Sequence, residues 1–206
     1  MSHDFDKAYW EGHWGQRVGT ARSLPAHPAL ETEIARLHPG TALDAGSGEG
    51  AEALWLAKQG WEVTAVDISA HALTSATAQP SLDANAGSVA WVEADLITWA
   101  PDEQFDLVTT FYAHPNTSQH AFYERISQWV APGGTLLIVG HQDDDHRHGR
   151  GQAHPENAVT QPEQIRALFT PGRWVVRTAE VRERTVAVSS GHSTTLHDVI
   201  ACIEKI

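Results

Sequence analysis

The sequence predicts an α/β fold, in which a mostly parallel sheet is covered by helices on both faces as a three-layer sandwich. Short apolar segments alternate with amphipathic segments of helical length through most of the chain, which is typical of parallel strands joined by crossover helices. In addition, residues 41–50 read T-A-L-D-A-G-S-G-E-G, with alternate glycines. This run predicts a strand, a tight turn and a helix, because glycine allows a sharp turn and leaves backbone N–H groups open to a ligand.

Each predicted element follows from a local pattern. Strands are predicted where apolar residues form short runs, and helices where they recur every three or four positions. Pro28 favours the start of the first core helix, Gly60 the end of the second, and Ser69 the start of the third. In chain order the elements are helix 29–37, strand 41–44, helix 49–59, strand 61–67, helix 69–79, strand 89–95, strand 105–111, helix 116–130, strand 135–140, helix 160–169, strand 173–188 and strand 193–203.

The end of the chain has a different pattern. Thr160 and Glu163 form a capping-box pattern at the start of the last helix, and the run Pro132-Gly133-Gly134 separates the helix before it from the strand at 135. The two final strands follow each other without a helix between them. This predicts an antiparallel hairpin at one edge of the sheet.

Length and charge limit the classes of function. The 206 residues suit one domain, 1–206, with a sizeable core. The formal net charge of −12 disfavours nucleic acid and anionic membranes as partners. We see no apolar run of membrane-spanning length and no secretory signal pattern, and the single cysteine, Cys202, excludes an intramolecular disulfide. We therefore expect a cytoplasmic protein, as a monomer or a homodimer.

Aspartates end three consecutive predicted strands. The glycine turn by itself fits a dinucleotide site as well as other nucleotide sites. Asp44, however, would repel a pyrophosphate and suits a ligand with an ammonium and a sulfonium, Asp67 suits the two hydroxyls of a ribose, and Asp95 suits an adenine amine. Singly, Asp67 could instead cap the next helix and Asp95 could begin a turn. Together, the three carboxylates favour an adenosine ligand with a cationic amino-acid end and disfavour a nicotinamide oxidoreductase.

These motifs resemble those of the class I S-adenosylmethionine-dependent methyltransferases. The matching runs, in the family's order, are A-L-D-A-G-S-G-E-G (42–50), V-T-A-V-D-I-S (63–69), V-E-A-D-L (92–96), F-D-L-V-T-T (105–110) and A-P-G-G-T-L-L-I-V-G (131–140). The resemblance implies a Rossmann-like, seven-stranded sheet with an antiparallel last strand, and S-adenosyl-L-methionine as cofactor. The cofactor-binding residues it implies are Asp44, Gly46, Ser47, Gly48 and Gly50 at the methionine moiety, Asp67 at the ribose, Ile68, Asp95 and Leu96 at the adenine, and Phe111 facing the methionine end.

Within that superfamily the chain is similar to the tellurite-resistance and thiopurine S-methyltransferase groups. The similarity lies in the Trp10–Trp14 segment, the run R-S-L-P-A-H-P-A-L and the Gly140-His141 pair. It implies that residues 4–27 form a lid over the cofactor, with Trp14 and His27 near it. The alternative is that the N-terminal aromatic residues only anchor a helix on the core.

Candidate catalytic residues follow the fourth and fifth strands. Tyr112, His114 and His141 come directly after apolar runs, where the methyl group is expected. The alternative is that each histidine is a loop residue bonded to backbone carbonyls, and that Tyr112 only lines the pocket. The loop 141–159 is rich in His and Asp, but its spacing matches no metal site, so we predict a flap and no metal.

The nature of the acceptor stays open at the level of sequence. We expect a small-molecule acceptor with a sulfur, oxygen or nitrogen nucleophile, because the chain has no added recognition domain. The alternative is a non-catalytic S-adenosylmethionine-binding sensor or partner subunit.

Overall fold

The computed structural model describes residues 5–16, 25–79, 86–142, 159–187 and 193–206. The predicted flap from 143 to 158, the lid residues 4 and 17–24, and His192 lie outside this range. The described strands are β1 Thr41–Ala45, β2 Glu62–Asp67, β3 Val89–Glu93, β4 Phe105–Phe111, β5 Val130–Gln142, β6 Val159–Thr160, β7 Trp174–Ala187 and β8 Ser193–Lys205. The described helices are α1 Lys7–Gly15, α2 Pro28–Ile34, α3 Ala51–Lys58, α4 Ala70–Thr77, α5 Gln119–Ser127 and α6 Pro162–Leu168.

The strands form one sheet in the order β3-β2-β1-β4-β5-β8-β7, and β6 pairs with β5. Strands β1 to β6 pair in parallel, whereas β8 is antiparallel to both β5 and β7. The predicted α/β fold, its antiparallel last strand and the final hairpin are therefore confirmed. The two-residue strand β6 adds an eighth strand that the sequence did not predict.

This topology places functional residues from distant segments at one edge. The parallel strands end together at what we call the carboxyl edge, and begin at the amino edge. Because β8 runs in the opposite direction, its Asp198 lies opposite His141 at the carboxyl edge, and its Glu204 lies opposite Thr135 towards the amino edge.

Hydrophobic residues cover both faces of the sheet. Leu136 and Leu137 are neighbours on β5 and point to opposite faces, yet both are fully buried. On one face α5 and α6 pack through Phe122 and Ile165, and on the other α2 packs through Leu30. A strand that is buried on both faces reads as a continuous apolar run, which is why the β5 segment was recognisable in the sequence.

Several predicted boundaries are wrong. The predicted helix 116–130 is shorter, because Ser118 caps it by accepting from the Ala121 N–H and Val130 already belongs to β5. The glycines after Pro132 therefore lie inside β5, where the pairing with β4 shifts register. The capping box at Thr160 is also absent, since Thr160 belongs to β6 and its hydroxyl has no hydrogen-bond partner in the described part of the chain.

None of the helices within the described residues is long and apolar enough to span a bilayer.

Candidate functional site

The glycine turn after β1 has the geometry expected of a ligand cradle. Gly46, Gly48 and Gly50 have φ angles of 83°, 51° and 79°, a left-handed conformation that disfavours other residues. A Cβ at Gly46 would collide with the Ala113 side chain, so the loop after β4 packs directly on the turn. Gly50 makes room for the Trp91 ring of β3, a packing role that the sequence did not reveal.

Asp44 is a buried carboxyl group with unused hydrogen-bonding capacity. Asp44 is 1% exposed, and its Oδ1 accepts from the Thr109 hydroxyl at 3.0 Å. Oδ2 and the buried Ser47 hydroxyl have no hydrogen-bond partner among the described residues. Burial, reinforced by the nearby Glu52 carboxylate, raises the pKa of Asp44 to about 8. Buried polar atoms of this kind need a partner, and an ammonium group would supply one to Asp44.

Asp67 links β2 to the glycine turn. Its Oδ2 accepts from the Gly48 N–H at 2.8 Å, and its Oδ1 accepts from the Ser69 N–H at 2.9 Å. Burial raises the pKa of Asp67, and these two N–H groups oppose the rise. A carboxylate oxygen can accept more than one hydrogen bond, so both oxygens can still bind the hydroxyls of a ribose.

The remaining predicted cofactor residues lie at or beside the same edge. Ile68 directly follows β2 and is half-buried, and Phe111 is the last residue of β4 and is buried. The prediction that the third strand ends in Asp95 is wrong, because β3 ends at Glu93. Asp95 begins a turn in which its Oδ1 accepts from the Ile97 N–H at 2.8 Å, and Leu96 is buried there. The turn alternative therefore describes Asp95 in this structure, whereas its role at an adenine stays a prediction.

Helix α1 lies across this edge. Trp14 packs against Gly48, where an added Cβ would lie 3.2 Å from the indole ring. Trp10 Nε1 donates to the backbone oxygen of His114 at 3.3 Å. Lys7 forms an ion pair with Glu93 at the end of β3. The helix thus contacts the residues that follow β1 and β4 and the end of β3.

Glu11 of α1 also binds the first turn of α4. It accepts from the Ala70 N–H at 2.7 Å, from the His71 N–H at 3.3 Å and from the Ser69 hydroxyl at 3.2 Å. Although partial burial opposes the change, these bonds lower the pKa of Glu11. A carboxylate at the start of a helix is favourable, because the unpaired N–H groups there carry partial positive charge. Glu11 therefore holds α1 against the start of α4.

His114 lies in a wall of aromatic and imidazole rings. Its Nδ1 is 2.9 Å from Gln119 Nε2, and the same amide nitrogen donates to the Ala113 oxygen at 3.1 Å. Because an amide nitrogen donates, His114 Nδ1 accepts and the ring proton is assigned to Nε2. The ring centroids of Phe5, Trp10 and His141 lie 5.6, 6.4 and 5.5 Å from that of His114.

Tyr112 contacts this wall with its ring and bonds its hydroxyl to groups outside the wall. Its φ angle of 52° is left-handed, and its ring centroid lies 4.5 Å from that of His141. The hydroxyl donates to Asp198 Oδ1 at 2.6 Å and accepts from Arg184 at 3.1 Å. Burial and the Asp198 carboxylate raise the pKa of Tyr112 far above its usual range. The structure therefore brings Tyr112, His114 and His141 together, but engages the Tyr112 hydroxyl with other protein groups.

Asp198 is the residue that sequence reasoning missed. It is 1% exposed and also accepts from Arg184 Nε at 2.8 Å and from His27 Nε2 at 2.9 Å. We call these four residues, Asp198, Tyr112, Arg184 and His27, the Asp198 cluster. The available signal was an aspartate in the otherwise apolar run that follows His197, because a buried carboxylate requires partners.

Comparisons with known proteins agree with this geometry. A family model described as "Methyltransferase domain" matches residues 42–134. "Probable thiol methyltransferase 2" of Arabidopsis thaliana is 30% identical over 151 residues, which cover 72% of this chain and 66% of that protein. "Thiocyanate methyltransferase 1" of the same organism is 28% identical over 148 residues, covering 68% and 64%.

A third relative is named as an RNA methyltransferase. "Ribosomal RNA small subunit methyltransferase C" of Alcanivorax borkumensis is 30% identical over 112 residues, covering 51% of this chain and 33% of that protein. The chain thus spans less than two thirds of the length of each of these three relatives.

Solved structures share the fold. A chain from the structure "Conversion of a Disulfide Bond into a Thioacetal Group during Echinomycin Biosynthesis" has a TM-score of 0.70 and 20% identity, covering 97% of this chain and 93% of that one. TehB from Haemophilus influenzae has a TM-score of 0.69 and 14% identity, covering 95% and 67%.

Proposed function

We propose, from the premise that the chain belongs to the class I S-adenosylmethionine-dependent methyltransferases, that it transfers a methyl group to the sulfur of a small thiol. One observation carries the proposal. Among the described residues, Asp44 Oδ2 is a buried carboxyl oxygen without a hydrogen-bond partner, and it lies at the same sheet edge as a wall of rings in which no strong base is described. The first feature suits the cofactor and the second suits the acceptor.

The residues present fit S-adenosylmethionine, which supplies a methyl group bound to a sulfonium. Asp44 would hold the ammonium, and Ser47 with the backbone of the glycine turn would hold the rest of the methionine moiety. Asp67 would bind the ribose hydroxyls with its second lone pairs. Trp14 and the rest of α1 would cover the cofactor and exclude water, and these contacts support the lid that stays a prediction for residues 4–27.

The ring wall favours a soft, uncharged or weakly basic acceptor. His114 uses Nδ1 to accept from Gln119, so its ring proton is assigned to Nε2 and we do not assign His114 as the base. The Tyr112 hydroxyl is bonded to Asp198 and cannot take a proton at neutral pH. A thiol needs no strong base, because a free thiol loses its proton at a pH of about 8.5, whereas a phenol ionises at about 10. We therefore propose that the rings orient a small thiol, and that His141 is the candidate to accept its proton.

The named relatives support a sulfur acceptor, because two of them are described as thiol and thiocyanate methyltransferases. A relative described as a ribosomal RNA methyltransferase raises RNA as a competing substrate. The net charge of −12 disfavours RNA, because binding to nucleic acid depends largely on lysine and arginine contacts with phosphates.

The experiment is a methyl-transfer assay with labelled S-adenosylmethionine and the purified full chain. Small alkyl thiols, phenols, amines and ribosomal RNA are offered separately, and the methylated product is identified by mass spectrometry. We expect a methyl thioether from the thiols and S-adenosylhomocysteine in equal amount. Methylation of RNA or of amines alone contradicts the thiol proposal, and binding of S-adenosylhomocysteine without turnover of any acceptor class supports the non-catalytic alternative.

A further inference from the structure

The Asp198 cluster joins three distant parts of the chain at the carboxyl edge. Tyr112 follows β4, Arg184 belongs to β7, and His27 precedes α2. The shortest distance to an Asp198 oxygen is 2.6 Å from Tyr112, 2.8 Å from Arg184 and 2.9 Å from His27. Three donors on one buried carboxylate make a fully bonded ion pair that stays charged in the interior, because each donor stabilises the ionised form.

The orientation of His27 is settled by its neighbours. Its Nδ1 accepts from the Ala29 N–H at 3.1 Å, so the proton of Nε2 points to Asp198. Its own backbone N–H donates to Glu52 at 3.0 Å, and Glu52 lies close enough to Asp44 to raise the pKa of that carboxyl group. Asp198 is therefore connected to the segment before α2, which itself contacts the cofactor side of the site.

The cluster also holds Tyr112 in an unusual conformation. A left-handed φ of 52° is uncommon for a bulky residue and persists only where surrounding contacts require it. Two contacts do so here: the Tyr112 N–H donates to the Val139 oxygen at 2.9 Å, and its hydroxyl donates to Asp198. The ring that is fixed in this way stacks on His141, which in turn neighbours His114.

We infer that Asp198 is a positioning residue for methyl transfer, because it sets the place of the acceptor by fixing the Tyr112 ring against that of His141. This inference rests on the proposed function, since it assigns the ring wall to the acceptor. Asp198 acts through Tyr112 and His141, and it belongs to the acceptor side of the site. His27 links Asp198 to Glu52 only through its backbone N–H, which a change at Asp198 keeps. We therefore expect the loss of Asp198 to reduce kcat/KM for the acceptor far more than it reduces the affinity for the cofactor.

The hairpin contains a matched control. At the other end of β7 and β8, Glu204 accepts from Arg177 Nε at 2.8 Å, so the same strands present a second carboxylate–arginine pair. That pair is on the surface, with 39% of the Glu204 side chain exposed. Asp198→Asn and Glu204→Gln thus make the same chemical change on one strand, but only the first lies at the ring wall.

The first measurement is steady-state kinetics on the proposed thiol acceptor, with calorimetry for S-adenosylhomocysteine. We expect Asp198→Asn to lower kcat/KM for the acceptor about 100-fold, because displaced acceptors react poorly. We expect the cofactor Kd to stay within about threefold, and Glu204→Gln to change neither quantity. Acceptor kinetics of Asp198→Asn within about threefold of wild type overturn the inference, and so does a cofactor affinity that falls as much as kcat/KM.

A second variant covers the case in which Asp198→Asn does not fold. Tyr112→Phe removes one of the three donors and keeps the ring, and we expect about a tenfold loss in kcat/KM for the acceptor. The double variant Asp198→Asn with Tyr112→Phe should lose no more than Asp198→Asn alone, because both changes break the same contact. Additive losses, or a Tyr112→Phe variant with full activity, contradict the inference.

A spectroscopic measurement separates this inference from the proposed function. The chain has three tyrosines, so fluorine NMR of 3-fluorotyrosine-labelled protein gives three signals, and Tyr112→Phe assigns one of them. We expect the Tyr112 signal to shift in Asp198→Asn and to stay in place in Glu204→Gln. An unshifted signal overturns the positioning role even if methyl transfer is observed. A shifted signal in a protein that methylates no thiol supports the positioning of Tyr112 and overturns only the proposed acceptor.

Discussion

The two edges of the sheet use the same residue types in different ways. At the amino edge, Asp106 accepts from the backbone and hydroxyl of Thr41, and Glu204 pairs with Arg177 at the surface. Both carboxylates are exposed to solvent, and both have hydrogen-bond partners within the protein. Such contacts contribute little to stability individually, since water competes for them.

At the carboxyl edge the carboxylates are buried. Asp198 has three donors, whereas Asp44 retains an oxygen with no partner in the described part of the chain. The fold gains nothing from an unsatisfied buried oxygen, which costs free energy until a ligand supplies a donor. The difference between the edges supports Asp44 as a ligand-binding group, because its unsatisfied oxygen lies at the edge where we propose that the cofactor binds.

The largest effect is expected for Asp44→Asn, on the affinity for the cofactor. Above about pH 8 the ionised carboxyl group would pair with the ammonium of the cofactor, and its loss should weaken the binding of S-adenosylhomocysteine about 100-fold. Isothermal titration calorimetry measures this directly. The amino-edge control, Asp106→Asn, should bind with unchanged affinity. Equal affinities for the two variants would show that Asp44 does not hold the ammonium.

Two glycines with left-handed φ angles give the next largest effect. Gly46→Ala should lower the free energy of unfolding by about 3 kcal/mol, because it combines an unfavourable φ with a collision at Ala113. Gly133 has a φ of 78°, but no atom of the described residues lies within 4 Å of an added Cβ. Gly133→Ala should therefore cost only about 1 kcal/mol. Denaturant unfolding of both variants measures the difference, and equal losses would contradict the close approach at the turn.

The pH dependence of cofactor binding should follow Asp44. Because the pKa of Asp44 is raised to about 8, its carboxyl group is protonated below that pH and cannot pair with an ammonium. The affinity for S-adenosylhomocysteine should fall as the pH decreases below about 8, approaching tenfold per unit. Calorimetry between pH values of about 6 and 8 tests this, with Asp44→Asn as the reference that lacks the slope.

The Asp44 carboxyl group gives the stability of the ligand-free protein a pH dependence opposite to that of cofactor binding. Its folded-state pKa of about 8 lies above the value of about 3.9 in an unfolded chain, so the folded protein binds the extra proton between these values. Asp44 therefore lowers stability as the pH rises through this window. Urea unfolding of wild type and Asp44→Asn should diverge across the window, in favour of the variant, and parallel curves would contradict the raised pKa.

The smallest expected effect concerns α1. Glu11→Gln weakens three hydrogen bonds to the start of α4, and we expect the KM for S-adenosylmethionine to rise about threefold. Lys7→Gln removes an exposed ion pair of the same helix and should change the KM less than twofold, about the value of a surface pair. A larger effect of Lys7→Gln would mean that Glu11 is not the main attachment of α1.

The sequence by itself determined the α/β fold, the glycine turn, and the placement of Asp44 and Asp67 at one edge. These features are local: each strand is a short apolar run, each turn contains its own glycines, and parallel strands bring their ends together without further information. The same local patterns misplaced the start of β5 and the end of β3. Boundaries depend on pairing with neighbouring strands, and Val130 belongs to β5 because it pairs with Phe105.

Only the tertiary structure decided what the residues at the carboxyl edge contact. Tyr112 and Asp198 are 86 positions apart, and His27 and Asp198 are 171 apart. No periodicity or motif spans such distances, because these contacts arise from the antiparallel return of β8 beside β5. That reversal carries Asp198 to the carboxyl edge, where it receives the hydroxyl of Tyr112 and fixes its ring in the wall proposed for the acceptor.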